Sequence, residues 1–537
     1  MSLGMLSNTP LLLLLLLPLA APQNILIVLL DDVDDMDATR SKGFPNITSF
    51  FEKNGVMYNN AFVTTPICCP SRGSIYTGTY QHNHRTLDNT VINGCDGPNW
   101  DVNVAPNSLG KRLQDLGYRT GMYGKYSNNY RGDKVPVGWD DWLGLVGNSQ
   151  YYNYTVNRNG VKVKHGLDYD KDYLPSLIFD AGISFMTDKT DKRPWCAFLS
   201  FPTAHETFDA APQHQKLFEA SKPPNLNYPS FNKTGDPGKH WYTQSRPPLS
   251  NLSAKYNELG WRRRLQSLQS IDEGFQKILQ NIDSKNTTII FTSDNGFYFG
   301  EWGMVLDKRQ PYEVTIRVPM FASGPNFPKG SSPDTVVLNI DIAPTAIDVA
   351  KKSGVTRPKP GLSDQSYGLQ FDGTSMLSLL ETPNSRNSFL IEYHGMGDGL
   401  ESNNSCAHLN MRCWYKSNKV WYTEPKFDIP DDEKFCFCVD SKNNTFTCER
   451  RVNNKNPRAG DSGDFTNFLY CAFSSGFNEY YDLHKDPFQM KNMWETLPED
   501  QKLELRSRIG RIRECRGFQE CNQLEQSGFG DGETMRF

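Results

Sequence analysis

The stretch Asn24-Ile25-Leu26-Ile27-Val28-Leu29-Leu30-Asp31-Asp32 decides how this chain is read. An unbroken apolar run with several β-branched residues leaves no polar face. That is the pattern of a strand buried on both sides, as in a sheet covered by helices. The run then stops at two carboxylates. A second run, Thr288-Ile289-Ile290-Phe291, does the same and reaches Asp294 and Asn295. In open α/β sheets ligands bind beyond the carboxyl ends of the strands, so Asp31, Asp32, Asp294 and Asn295 are expected to converge. Carboxylates plus an amide oxygen form a hard-oxygen donor set, suited to Ca²⁺ or Mg²⁺ rather than zinc. Taken alone, Asp31-Asp32-Val33-Asp34-Asp35 reads more simply as a solvated acidic loop.

Outward from these runs, strand-like and helix-like segments alternate, which indicates an α/β fold with a large mixed sheet sandwiched by helices. Leu109, Leu113 and Leu116 predict a helix over 108–116, with Gly117 just past its end. Leu265, Leu268, Ile271, Phe275, Ile278, Leu279 and Ile282 mark a long amphipathic helix, and 341–350 reads as another. Residues 388–393 read as the last strand of the large domain. Beyond about residue 395 the composition shifts toward Cys, Asn and aromatics. The expected organisation is a signal peptide over 1–22, a catalytic domain over 23–395, and a smaller Cys-rich α+β domain over 396–537.

The leader rests on the leucine run 11–17, followed by Pro18, Leu19, Ala20 and Ala21. This is a signal-peptide core with small residues after it, too short for a membrane span of about 20 residues. No later segment is long and apolar enough to span, so a soluble chain of the secretory pathway is expected. N-x-[ST] sequons at Asn46, Asn153, Asn232, Asn251, Asn286, Asn403 and Asn443 agree with export. Of 12 cysteines, Cys406, Cys413, Cys436, Cys438, Cys448, Cys471, Cys515 and Cys521 crowd the last third. In an exported chain they read as disulfides, and no paired C-x-x-C spacing supports zinc instead. The 537 residues carry 57 basic and 61 acidic side chains, a net charge of −4. That balance argues against a sequence-independent nucleic-acid binder. The 37% hydrophobic content excludes a disordered chain.

Cys68-Cys69-Pro70-Ser71-Arg72 precedes Gly73-Ser74-Ile75-Tyr76-Thr77-Gly78. Pro70 suits the first turn of a helix, which would place Cys68 at a helix N-terminus, where backbone N–H groups favour an anion. Three readings of Cys68 stay open: a structural disulfide, a thiolate nucleophile, or a cysteine converted to another nucleophile.

This segment resembles the first signature of the sulfatases, in which the cysteine is oxidised to Cα-formylglycine. Leu116-Gly117-Tyr118-Arg119-Thr120-Gly121 with Gly124-Lys125-Tyr126 resembles the second. Further stretches, among them His82-Asn83-His84, Pro136-Val137-Gly138-Trp139, Lys239-His240-Trp241 and Asp307-Lys308-Arg309-Gln310, are similar to the glucosamine-6-sulfatases and the extracellular heparan 6-O-endosulfatases. The long basic insert with which endosulfatases grip the polymer is missing, which implies chain-end or less processive action.

The resemblance implies an alkaline-phosphatase-like sulfatase fold and removal of 6-O-sulfate from (N-acetyl)glucosamine units of heparan or keratan sulfate. Alternatives are a 6-O-endosulfatase and a non-catalytic glycosaminoglycan-binding homologue. It implies Ca²⁺ held by Asp31, Asp32, Asp294, Asn295 and modified Cys68, a formylglycine-generating enzyme as maturation partner, and lysosomal or extracellular residence. Hydrated formylglycine is a geminal diol: one hydroxyl attacks sulfur and the second is deprotonated to eliminate sulfate, a step serine cannot perform. Arg72 would orient the diol, Lys125 and Lys308 would bind sulfate oxygens, and His205 would contact sulfate or protonate the leaving oxygen. Ser127 replaces the histidine that arylsulfatases carry after the signature lysine, and Phe297-Tyr298 replaces a histidine pattern. The base for sulfate release is therefore assigned to His84, on its closeness in sequence to the Cys68 helix.

Overall fold

The computed structural model describes residues 22–354, 366–383, 385–396, 411–415, 434–452 and 467–526. The expected signal peptide lies, up to position 21, outside the described residues, as do Asn403 and Cys406. Among the described residues no helix is long and apolar enough to cross a membrane.

Asn24–Leu30 is a strand at the centre of a nine-stranded sheet. It pairs in parallel with Trp195–Ser200 on one side and Thr287–Ser293 on the other. Arg119–Gly124 and Asp141–Leu145 extend the parallel set. Met320–Ser323 and Gly55–Met57 add antiparallel strands at one edge, and Thr155–Arg158 and Val161–Lys164 at the other. The mixed sheet expected from the sequence is therefore present.

The alternation of the central strand explains its composition. Ile25, Ile27 and Leu29 pack with Ile75, Tyr76, Leu109, Leu113 and Ile342 on one face. Leu26, Val28 and Leu30 pack with Ile47, Phe51, Ile178, Leu268, Ile271 and Phe275 on the other. Both faces are thus dry from Ile25 to Leu30, and none of those positions can carry a polar side chain without losing a partner. The covering helices include Cys68–Thr77, Leu109–Asp115 and Ile342–Lys352 on the first face. Leu174–Thr187 and the 31-residue Asn251–Asn281 lie on the second. Ser108 caps its helix by accepting from the Lys111 N–H, and Gly117, at φ 97°, follows it as expected.

Ser388–Tyr393 departs from expectation. It does not join the large sheet but pairs antiparallel with Phe446–Arg451, next to Phe468–Phe473 and Asn478–Asp482. Its apolar side chains pack against this smaller sheet and against Leu505, Ile509 and Ile512, a partner thirty or more residues away that local pattern cannot name. Helices Glu499–Ile512 and Gly517–Gln526 complete an α+β module. Cys448–Cys471 bridges adjacent strands and Cys515–Cys521 closes a short loop. In the large domain Cys69 pairs with Cys95, leaving Cys68 and Cys196 as buried free thiols. None of the described sequon asparagines is buried.

Candidate active site

The site assembles where the parallel strands end. Asn24–Leu30 delivers Asp31 and Asp32, and Thr287–Ser293 delivers Asp294 and Asn295. Arg119–Gly124 delivers Lys125. Gly124 is required at that exit: its φ is 105° and an added Cβ would lie 2.0 Å from the Ser200 carbonyl oxygen. Asp32 holds φ 63° without being glycine, backbone strain of the kind that collects at functional sites. Cys68 heads the helix Cys68–Thr77 and points into the same space.

Each carboxylate meets a cationic side chain, and Asp31 meets two, since Arg72 Nη2 also lies 3.7 Å from its Oδ1. Lys125 Nζ donates to Asp31 Oδ2 at 2.7 Å, and Lys308 Nζ to Asp32 Oδ2 at 2.6 Å. Arg72 Nε donates to Asp294 Oδ2 at 2.9 Å, while its Nη1 donates to the Lys125 carbonyl and Ser200 Oγ, both at 2.7 Å. Asn295 Nδ2 donates to Asp32 Oδ1 at 2.7 Å, and the Asp32 N–H to Asp294 Oδ1 at 3.1 Å. All of these side chains are buried, so the solvated-loop reading of Asp31-Asp32 is set aside.

The donor set fits a hard divalent cation. Ligand atoms of Asp31, Cys68 and Asp294 all lie within 4.8 Å of one another. Asp31 Oδ1 and Asn295 Oδ1 are buried and accept no hydrogen bond, an arrangement costly unless a positive centre meets them. Burial, and then the charge of Asp31, push Asp294 up to about 7. Burial also opposes the charge of Asp31, but Lys125, His205, Arg72 and Lys308 hold it far below the usual carboxylate range. Two carboxylates competing for protons in a dry pocket is the electrostatic signature of a place for M²⁺.

Cys68 has no disulfide partner, since its neighbour Cys69 is bound to Cys95. Burial pushes its thiol up to about 11 against the pull of Lys125 and Lys308. A neutral, dry thiol is a poor nucleophile, so of the three readings the converted cysteine keeps the most support. His205 follows the Trp195–Ser200 strand; its Nδ1 lies 2.6 Å from the Glu206 carbonyl and its Nε2 lies 3.9 Å from Asp32 Oδ2. Burial lowers it to about 4 despite Asp31 and Asp32, so the ring is neutral before any anion arrives.

His84 is not brought to this cluster. It is fully buried behind the helix, with Nε2 3.0 Å from Ser74 Oγ and Nδ1 accepting the Thr86 N–H. Burial lowers it to about 3. Closeness in sequence misleads because the ring packs against Gly73, five residues along the helix from Cys68. Three contributors escaped the sequence reading. Ser149 Oγ donates to Asp31 Oδ2 at 2.5 Å, Ser200 Oγ receives Arg72, and the Asn339 amide donates to Ser71 Oγ at 2.9 Å. Each is a common polar residue far off in sequence, with no local signal. Phe297 lies beneath Lys308, its ring centroid 5.5 Å from Nζ.

Comparison with known proteins agrees with this geometry. A sulfatase family model matches residues 23–352. The goat N-acetylglucosamine-6-sulfatase is 31% identical over 518 residues, covering 92% of this chain and 84% of that one. A fruit-fly extracellular sulfatase SULF-1 homologue is 35% identical over 391 residues, 70% of this chain and 34% of the relative. Among solved structures, a protein in complex with its substrate D-glucosamine-2-N,6-O-disulfate shares the fold at a TM-score of 0.65 and 20% identity, covering 92% of this chain and 97% of that one. A phosphonate monoester hydrolase of Agrobacterium radiobacter does so at 0.61 and 17%, covering 91% and 96%. The strand-end carboxylates, the unpaired cysteine that heads its helix and these likenesses together place the chain in the sulfatase family, the sulfuric ester hydrolases.

Proposed function

We propose that this sulfatase removes 6-O-sulfate from (N-acetyl)glucosamine units of heparan or keratan sulfate, with Cys68 oxidised to Cα-formylglycine and Ca²⁺ held by Asp31, Asp32, Asp294, Asn295 and the modified Cys68. The observation that carries the chemistry is the unpaired Cys68, within ligand distance of Asp31 and Asp294 and heading a helix beside a disulfide-bonded Cys69. The names of the relatives carry the sugar. Because Cys68 is wholly buried, its conversion by a formylglycine-generating enzyme belongs before folding closes the site. Export to lysosome or extracellular space is part of the same reading.

A sulfate monoester resists attack because its own oxygens repel a nucleophile. A bound divalent ion would supply Lewis-acid charge, and the hydrated aldehyde an oxygen nucleophile that can be regenerated. The chain's own groups do the rest. Arg72 fixes Asp294 and the ends of two strands, so the nucleophile position cannot drift. Three carboxylates are matched by Arg72, Lys125 and Lys308, so the charge of the added ion is left for the sulfate. His205 Nε2, neutral in the free site, gains basicity when a sulfate anion settles beside it and can then deliver a proton to the sugar oxygen as the S–O bond breaks.

The test is hydrolysis of 6-sulfated N-acetylglucosamine with and without chelator, alongside the mass of the Cys68 peptide. The expected result is turnover that chelator abolishes and Ca²⁺ restores, and a peptide lighter by ~18 Da than its thiol form. A converted Cys68 with no release of 6-sulfate would refute the substrate. An intact thiol would favour the non-catalytic glycosaminoglycan binder. Internal desulfation of a long heparan chain would favour the endosulfatase, towards which the 35% identity to the fruit-fly relative points.

A further inference from the structure

Lys239 takes no part in the cluster, yet it is 1% exposed. Its ammonium donates to the Gln489 carbonyl at 2.6 Å and otherwise faces rings. Nζ lies 4.0 Å from the Tyr312 centroid, 4.3 Å from Tyr481 and 4.5 Å from Trp302. Three aromatic faces around one desolvated cation form a cage that holds charge more firmly than shape alone would. Glu479, buried on the small sheet, pins the cage walls: it accepts from Tyr312 OH at 3.1 Å, Tyr481 OH at 2.9 Å and the His240 N–H at 2.7 Å.

The cage joins two parts of the molecule. Tyr481, Glu479 and Gln489 belong to the C-terminal module, whereas Trp302 and Tyr312 bracket the segment that carries Lys308. That segment has little regular structure to hold it. Trp302, Gly303, Asp307 and Arg309 have φ of 51°, 73°, 157° and 78°. Its anchors are tertiary, among them the Trp302 N–H donating to the Ser230 carbonyl and the Arg309 N–H to the Pro66 carbonyl.

We propose that Lys239 is a positioning residue for sulfate binding: its charge, seated in the Trp302–Tyr312–Tyr481 cage, ties both feet of the Lys308 segment to the C-terminal module and so holds Lys308 Nζ beside Asp32. This rests on the reading of Lys308 as a sulfate ligand. Burial lowers Lys239 to about 8 against the facing charges of Glu479, Asp236 and Asp486, so the clamp loosens on the alkaline side.

The experiment compares Lys239→Met and Lys239→Arg, each in wild-type and Lys308→Ala backgrounds, by kcat/KM on 6-sulfated N-acetylglucosamine from about pH 5 to 9.5. Lys239→Met is expected to lose about tenfold or more in the wild-type background and under about twofold in the Lys308→Ala background, the non-additivity of residues acting through one another. Lys239→Arg keeps the cation and is expected within about threefold of wild type, with an alkaline decline displaced upward because guanidinium does not titrate there. Equal losses in both backgrounds overturn the proposal. Should Lys239→Met not fold, an alkaline decline identical in wild type and Lys239→Arg overturns it equally. A wild type inactive on the 6-sulfate refutes the substrate reading instead, and the same series on an aryl sulfate then reads the coupling.

Discussion

The sharpest quantitative expectation concerns His82, four residues beyond the C-cap of the Cys68 helix. Its Nδ1 lies 2.8 Å from Glu392 Oε2 and its Nε2 lies 2.9 Å from the Cys515 carbonyl. A neutral imidazole has one N–H and would leave one acceptor facing a lone pair, so only the imidazolium satisfies both. Burial works against that charge, but Glu392 and the Cys515 carbonyl push His82 up to about 9 from 6.5. The folded state therefore holds an extra proton between these values. Stability from this contact is complete below pH 6.5, declines as pH rises, and is gone above about pH 9. At about 1.4 kcal/mol per pKa unit the full contribution is about 3 kcal/mol, falling to about 2 at pH 7.5 and near zero at pH 9.5. Guanidinium unfolding of wild type and His82→Gln at those pH values measures it; in thermal melts the acid-side gap is roughly 3 °C for a chain of this size. Asp372, which burial pushes up to about 6, acts in the same direction by taking a proton in the folded state as pH falls. The N–H bonds it accepts from Tyr80 and Gly517 favour its charged form, so its acid-side gain is relief of the burial cost and not a tightening of those contacts. A wild-type-to-variant gap that stays constant from pH 5.5 to 9.5 would show that His82 is not charged there and that the contact is an ordinary neutral pair.

Arg72→Lys keeps a charge but cannot reach Asp294, Ser200 and the Lys125 carbonyl together; it should lose roughly 100-fold in kcat/KM, and Arg72→Ala about 3–5 kcal/mol of stability from the orphaned carboxylates. A lysine variant within threefold of wild type would sink that account. His84→Ala should lower stability by about 2–4 kcal/mol through the vacated pocket while leaving kcat per folded molecule unchanged, read by active-site titration. A large loss of kcat in well-folded His84→Ala would return that ring to the mechanism.

The Asp31-Asp32 and Asp294-Asn295 pairs were legible because a strand dry on both faces must stop abruptly when charge begins, and local composition records that stop. The Cys68 helix was legible for the same local reason, through Pro70. What could not be read was anything set by pairing across the chain. Ser388–Tyr393 looks like any buried strand, and only its hydrogen-bond partner at Phe446–Arg451 assigns it to the small sheet. His84 is near Cys68 in number, but the turn after the helix sends it behind Gly73. Ser149, Ser200 and Lys239 carry no pattern at all.

By itself the sequence determined which strand ends bear the clustered carboxylates and amide and, through its short motifs, the family, since periodicity, capping and short motifs act over a few residues. Tertiary structure decided which cation faces which carboxylate, that Cys69 rather than Cys68 is oxidised to a disulfide, and how the Lys308 segment is held. Those outcomes depend on distances between groups hundreds of residues apart, and burial at those meeting points, not residue type, sets their charge.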